Sequence, residues 1–124
     1  MAVRPANPRL TGRLVVWAPV FLVMAVIFGA SSLPGRNIPS LFPLQDVFFH
    51  GTIYAILAFF FKRALKKTYP HLTGLIPALV TVLFVCAYGA SDEFHQLFVP
   101  GRSATVSDLL IDAAGGLLGA IFYR

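Results

Sequence analysis

The sequence predicts an all-α, polytopic membrane protein: a bundle of four transmembrane helices with both termini cytoplasmic. Three observations predict it. Of 124 residues, 57% are hydrophobic and 12% are charged, against about 25% charged in an ordinary soluble domain, so too few charges exist to coat a water-facing surface. Four apolar runs are long enough to cross a hydrocarbon core of about 30 Å at about 1.5 Å per residue. Basic residues gather at alternate ends of those runs. The same composition excludes soluble, disordered and collagen-like chains, and the length leaves room for one domain.

The first run, Leu14 to Leu33, spans 20 residues. Residues 1–13 before it read as a disordered, basic cytoplasmic arm lying beside anionic lipid, and residues 14–124 as the four-helix transmembrane domain. A basic start, an apolar stretch and Gly29-Ala30-Ser31-Ser32 also fit a cleaved signal peptide. The apolar stretch is long for that plan, so the span is expected to be retained. Pro19 is expected to kink it. The second run, Leu44 to Phe61, is closed by Lys62, Arg63, Lys66 and Lys67. The third starts near Leu75, carries Pro77 in its first turn, and stays helical to about Val99, ahead of the breaker Pro100-Gly101. The fourth runs from Val106 to Tyr123.

Orientation follows from where the charges fall. Four crossings place the N-terminal arm, the connection between the second and third runs, and Arg124 on one side, with eight of the ten basic residues. The other side receives Arg36, Arg102 and all five acids. By the positive-inside rule the basic side is cytoplasmic in a multi-pass cell-membrane protein, and Trp17, Tyr69 and Tyr123 form an inner aromatic belt. The net charge of +5 is thereby spent on topology, and no nucleic-acid partner is expected. Cys86, the one cysteine, is expected to serve packing.

Ionisable groups inside a span cost roughly 2.5–3.5 kcal/mol each at mid-membrane and need partners or water. Asp46, His50 and Tyr54 are four apart and form a stripe descending from the outer end of the second span. Ser91, Asp92, Glu93, His95 and Gln96 fill the last two turns of the third, with Asp92 placed to face both His95 and Gln96. Asp108 and Asp112 continue down the fourth to Gly115, Gly116 and Gly119, whose small-xxx-small face admits a close helix neighbour. The three stripes share one depth, so close packing there would gather them round a water-filled vestibule open to the outside. His50, Glu93 and His95 are the candidate acid–base groups. Arg102, after a Pro-Gly turn, faces the mouth of the acidic cluster, either neutralising carboxylates or contacting a phosphate. Asp108 with Ser107 also fits a helix cap, and His71 is a solvated loop residue. A metal site drawn from His50, His95 and the acids lacks any HxxxH or HExxH spacing, so neither a metal nor another cofactor is expected. The Pro-Gly-Arg triplets at Pro34 and Pro100 both fall in outer connections.

The stretch Asp92-Glu93-Phe94-His95-Gln96-Leu97-Phe98-Val99-Pro100-Gly101-Arg102-Ser103, followed by Asp108 and Gly116, resembles the signature of VanZ-like membrane proteins. Asp46, His50 and Tyr54 match that family's second-span pattern, and Ser31-Ser32 followed by Pro34 its first-span ending. The likeness covers residues 14–122. Many members have asparagine where this chain has Asp112, an acid that must be charged, paired or protonated. The resemblance implies a small integral membrane protein, in a family whose named member is associated with resistance to the glycopeptide teicoplanin. It adds Ser103 to the motif positions and implies no settled reaction.

Together these readings predict a site that binds or modifies a cell-envelope ligand, lipid-linked or amphiphilic, entering sideways from the bilayer. Its ligand-binding residues would be Asp46, His50, Tyr54, Asp92, Glu93, His95, Gln96, Arg102, Ser103, Asp108 and Asp112, and its partners membrane lipids and a lipid-linked envelope precursor. Two alternatives stand beside it. One is proton-coupled transport, which the wholly apolar stretch between Tyr54 and Lys62 opposes and which would need a homo-oligomer to make a pore. The other is an assembly role, docking another membrane protein.

Overall fold

The computed structural model describes residues 8–124, and within them the chain folds as four α-helices. They are α1 (Pro8–Ser31), α2 (Gln45–Thr68), α3 (Ile76–Gln96) and α4 (Val106–Phe122). A single 3₁₀ turn, Gly35–Asn37, lies in the first connection. The first three helices are long and apolar enough to cross a membrane. The fourth, at 17 residues, is about 25 Å long.

The boundaries depart from expectation at three places. Helix α1 is already helical ahead of Leu14, from the first described residue onward, arginine being a good helix former. Arg9 and Arg13 are therefore helical, while Arg4 lies outside the described residues. Helix α2 runs on through Lys62, Arg63, Lys66 and Lys67 to Thr68 instead of stopping at Phe61. Lysine and arginine are good helix formers whose stems lie along apolar surface while the charge reaches water, and the next breaker is Pro70. Helix α3 stops at Gln96, short of Val99. Phe98 N–H and Val99 N–H turn back to the His95 and Gln96 carbonyls, a tightening imposed on the residues that precede Pro100.

Side-chain and loop contacts give the bundle two distinct ends. At one, Gly35 N–H donates to the Pro100 carbonyl at 3.0 Å, clamping the α1–α2 connection onto the α3–α4 connection. A side chain at Gly35 would collide with the Gly101 backbone, and Gly101 itself takes a left-handed φ of 74°. At the other end, Trp17 Nε1 donates to Thr68 Oγ1 at 2.8 Å, and Lys62 Nζ donates to the Ala120 carbonyl at 2.6 Å, satisfying an orphan acceptor in the last turn of α4. Lys66 lies 5.8 Å from the centre of the Tyr123 ring. The helices thus alternate up and down, with the basic cluster at the opposite end from the two Pro-Gly turns.

Helix α2 is the hub: it packs on each of the other three, while α1 and α4 do not touch. The core joins Val20, Val23 and Ile27 of α1 to Tyr54, Leu57, Ala58 and Phe61 of α2 and Val85 of α3, with the Phe61 and Phe84 rings stacked 4.0 Å apart. Outward faces are also apolar. Phe21, Leu22, Leu79, Leu83, Leu110, Leu117 and Leu118 are all more than half exposed, an arrangement that suits lipid and not water.

Glycines decide how near α4 comes. A Cβ at Gly115 would overlap the Gly51 carbonyl of α2, one at Gly119 the Ala55 carbonyl, and one at Gly116 would sit 2.7 Å from Val85 Cγ1 of α3. The expected small-residue face is therefore real and two-sided, with Gly115 and Gly119 turned to α2 and Gly116 to α3. Replacing Gly119 with leucine is expected to lower stability by at least about 1–3 kcal/mol, read as a lower melting temperature in detergent. Gly12→Ala, with open space around it, should leave melting unchanged or slightly raised.

Candidate functional site

The polar residues converge at the Pro-Gly end of the bundle, on the faces where α2, α3 and α4 meet. Asp112 of α4 is fully buried. Its Oδ1 lies 2.9 Å from His50 Nδ1 of α2. Gly89 of α3 makes the space, since a Cβ there would come within 3.1 Å of Asp112 Oδ2 and 3.5 Å of the Tyr54 ring. One turn further along α3, Asp92 accepts from Tyr54 Oη at 3.1 Å and from Gln96 Nε2 at 3.4 Å. Gln96 Nε2 also donates to Ser31 Oγ of α1 at 3.1 Å, so one relay of hydrogen bonds joins α1, α2 and α3.

Glu93 is buried beside this relay, and neither of its carboxylate oxygens has a hydrogen-bond partner. The same holds for Asp112 Oδ2. One donor atom each from His50, Glu93 and Asp112 lies within 4.8 Å of the others. Buried carboxylates are expensive unless paired or hydrogen-bonded, so this cluster is costly to bury.

Five expected site residues lie outside the buried His50–Glu93–Asp112 cluster. Residues four apart are offset by about 40° round a helix, so an i, i+4, i+8 row slants across its surface. Tyr54 consequently points inward while Asp46, two turns earlier, is exposed. His95 does not meet Asp92. It faces α1, with Nε2 3.0 Å from Ser32 Oγ and its ring stacked 4.7 Å from Phe28. Arg102 donates through Nη2 to the Ala30 carbonyl at 3.3 Å, and its Nε is buried without a partner. Ser103 is exposed in the α3–α4 connection. Asp108 is a capping residue, paired with Thr105 rather than the expected Ser107: Thr105 Oγ1 accepts from Asp108 N–H at 3.2 Å and donates to Asp108 Oδ2 at 2.8 Å. That is a reciprocal N-terminal cap, in which a threonine and an acid three residues later hold each other.

A cavity of about 370 Å³ opens next to the relay, between α1 and α2. Its lining is largely apolar, with Val26, Ile27, Leu33, Phe49 and Ile53, and includes the polar side chains of Asp46, His50, Asp92 and Arg102. Val26 and Phe49 are themselves about half exposed, so the cavity opens through the groove between the two helices to the outer surface. The roof is the segment before α2, which Gln45 holds by accepting from Leu41 N–H at 2.6 Å and donating to the Pro39 carbonyl at 2.8 Å.

Three contributors were not among the expected site residues: Ser31, Gln45 and Gly89. For Ser31 and Gly89 a signal was present. Ser31 and Ser32 are the only hydroxyl side chains in the first apolar run, and an isolated glycine within a helix is costly enough to mark a close approach.

The VanZ/LLP1 family model matches residues 13–124. No curated protein and no solved structure matches the chain.

The His50–Asp112 pair yields a graded expectation. Removing the imidazole with His50→Phe strands a fully buried carboxylate and should cost about 3 kcal/mol, whereas Asp112→Asn, which retains an acceptor for His50, should cost less. Combining the two should be less harmful than the sum of the single changes. Denaturation in detergent, arranged as a double-mutant cycle, measures this coupling.

Proposed function

Since the chain belongs to the VanZ/LLP1 family and is a membrane protein of that family, we propose that all four helices cross the cell membrane. Both termini are then cytoplasmic, and the Pro-Gly end carries an extracytoplasmic binding site for an amphiphilic, lipid-linked envelope ligand. The orientation rests on the basic cluster lying at the end where Lys62 meets Ala120 and on the positive-inside rule. At 17 residues α4 is at the short limit for a span, and its snug seat on α2 lets it cross without matching the full thickness by itself.

The observation that carries the ligand proposal is the cavity's mixed lining, apolar over most of its wall with a few charged groups among it. An acyl or prenyl chain fits walls made of Val26, Ile27, Phe49 and Ile53, and reaches them from the bilayer through the α1–α2 groove. A phosphate or carboxylate in the headgroup suits Arg102, while Asp46 and Asp92 suit its hydroxyl or ammonium donors. A role in glycopeptide resistance is consistent with such a ligand. Proton transport is disfavoured by the apolar packing of Leu57, Ala58 and Phe61 against α3 and α1, which among the described residues interposes no ionisable side chain on α2 between Tyr54 and Lys62.

Two measurements test the proposal. Single cysteines at Ser40 and Thr73, in a Cys86→Ser background, should divide cleanly: an impermeant maleimide added to intact cells labels the first and not the second. The reverse pattern, or labelling of both, rejects the orientation. Native mass spectrometry of the gently purified protein should find a retained anionic amphiphile. Ile53→Trp, which fills the cavity, and Arg102→Ala should each lower its occupancy about tenfold, a loss of roughly 1.4 kcal/mol. Equal occupancy in wild type and Ile53→Trp would sink the cavity as the binding site.

A further inference from the structure

We propose that His50, Glu93 and Asp112 together hold one divalent transition-metal ion, such as Zn²⁺ or Mn²⁺, in the core of the α2–α3–α4 junction. The proposal goes beyond the amphiphile reading and rests on different atoms. Three carboxylate oxygens there, both of Glu93 and Oδ2 of Asp112, are buried without a hydrogen-bond partner, and their residues are 7% and 0% exposed. Native interiors rarely leave such groups unpaired, and each calls for a proton, a water or an ion. Two acids side by side in a low-dielectric interior repel, while a doubly charged cation neutralises both and satisfies their free oxygens together.

Geometry and donor type agree with this. One ligand atom from each residue lies within 4.8 Å of the others, so a small closure brings all three to the bond lengths of about 2.0–2.2 Å that such ions require. The 2.9 Å between His50 Nδ1 and Asp112 Oδ1 is already close to the span of two adjacent ligands on one ion. An imidazole nitrogen with two carboxylates selects zinc or manganese over calcium or magnesium, which prefer oxygen-only shells. Three protein ligands leave further coordination positions open, and His50 also lines the cavity. No short spacing motif announces the site because each ligand comes from a different helix.

The test uses the full chain purified in detergent, with elemental analysis before and after chelation, followed by titration with Zn²⁺ or Mn²⁺ alone. The expected result is about one ion per chain and a rise in melting temperature when the ion is restored. Loss of an outer-sphere partner of a metal typically costs about 10–100-fold in affinity, so Glu93→Gln and Asp112→Asn should each weaken binding at least about tenfold. Glu93→Asp provides a second variant if Glu93→Gln does not fold. Arg102→Ala, which alters the cavity and not the cluster, should bind the ion normally, separating this proposal from the amphiphile reading. Absence of stoichiometric binding, a response to Ca²⁺ or Mg²⁺ alone, or wild-type affinity in both acid variants would overturn it.

Discussion

Gly115 and Gly119 let the backbone of α4 lie against the backbone of α2, where any side chain at those positions would run into a main-chain carbonyl. Asp112 is one turn away on the same helix. The close seat therefore delivers a buried acid to His50, and Gly89 on α3 clears the last of the space it needs. In hydrocarbon, where apolar side chains gain little by leaving lipid for one another, small residues and polar partners are what drive helices together. Both operate here at adjacent turns.

The bundle is divided along its length. Towards the basic end, Leu57, Ala58, Phe61 and Leu65 pack against α1 and α3, and the polar side chains there bond one another or helix carbonyls, as in Trp17 with Thr68, Lys62 with Ala120 and Thr81 with Pro77. Towards the Pro-Gly end, α1, α2 and α3 are linked through Ser31, Tyr54, Asp92 and Gln96. The apolar half secures the fold through side-chain packing, whereas the polar half gathers groups able to hold water, an ion or a headgroup. The clamp of Gly35 on Pro100 and the grip of Gln45 on residues 39–41 fix the connections at that end, the second of them as the roof of the cavity.

How much of this was legible in the sequence varies with the kind of feature. Long apolar runs and the VanZ-like signature were readable because they depend on composition and order alone. That the polar groups gather towards one end of the bundle was readable too, since distance from a run's end sets position along the helix axis. Their facing was not. His95 and Asp46 belong to the expected stripes yet face α1 and the solvent side, because a few tens of degrees round a helix separates an inward position from an outward one. Arg102 behaves similarly: its place after a Pro-Gly turn was evident, but its partner is the Ala30 carbonyl, selected by how the two connections lie together.

By itself the sequence determined that the chain is helical, suited to lipid, and polar at one end, because hydrophobicity and charge act residue by residue. Tertiary structure alone decided which acids share a cluster, that Asp112 is the one buried against His50, and that a cavity lies between α1 and α2 at the Pro-Gly end. Those outcomes hinge on the rotation and spacing of packed helices, quantities that arise only when Gly89, Gly115, Gly116 and Gly119 meet their neighbours across the bundle.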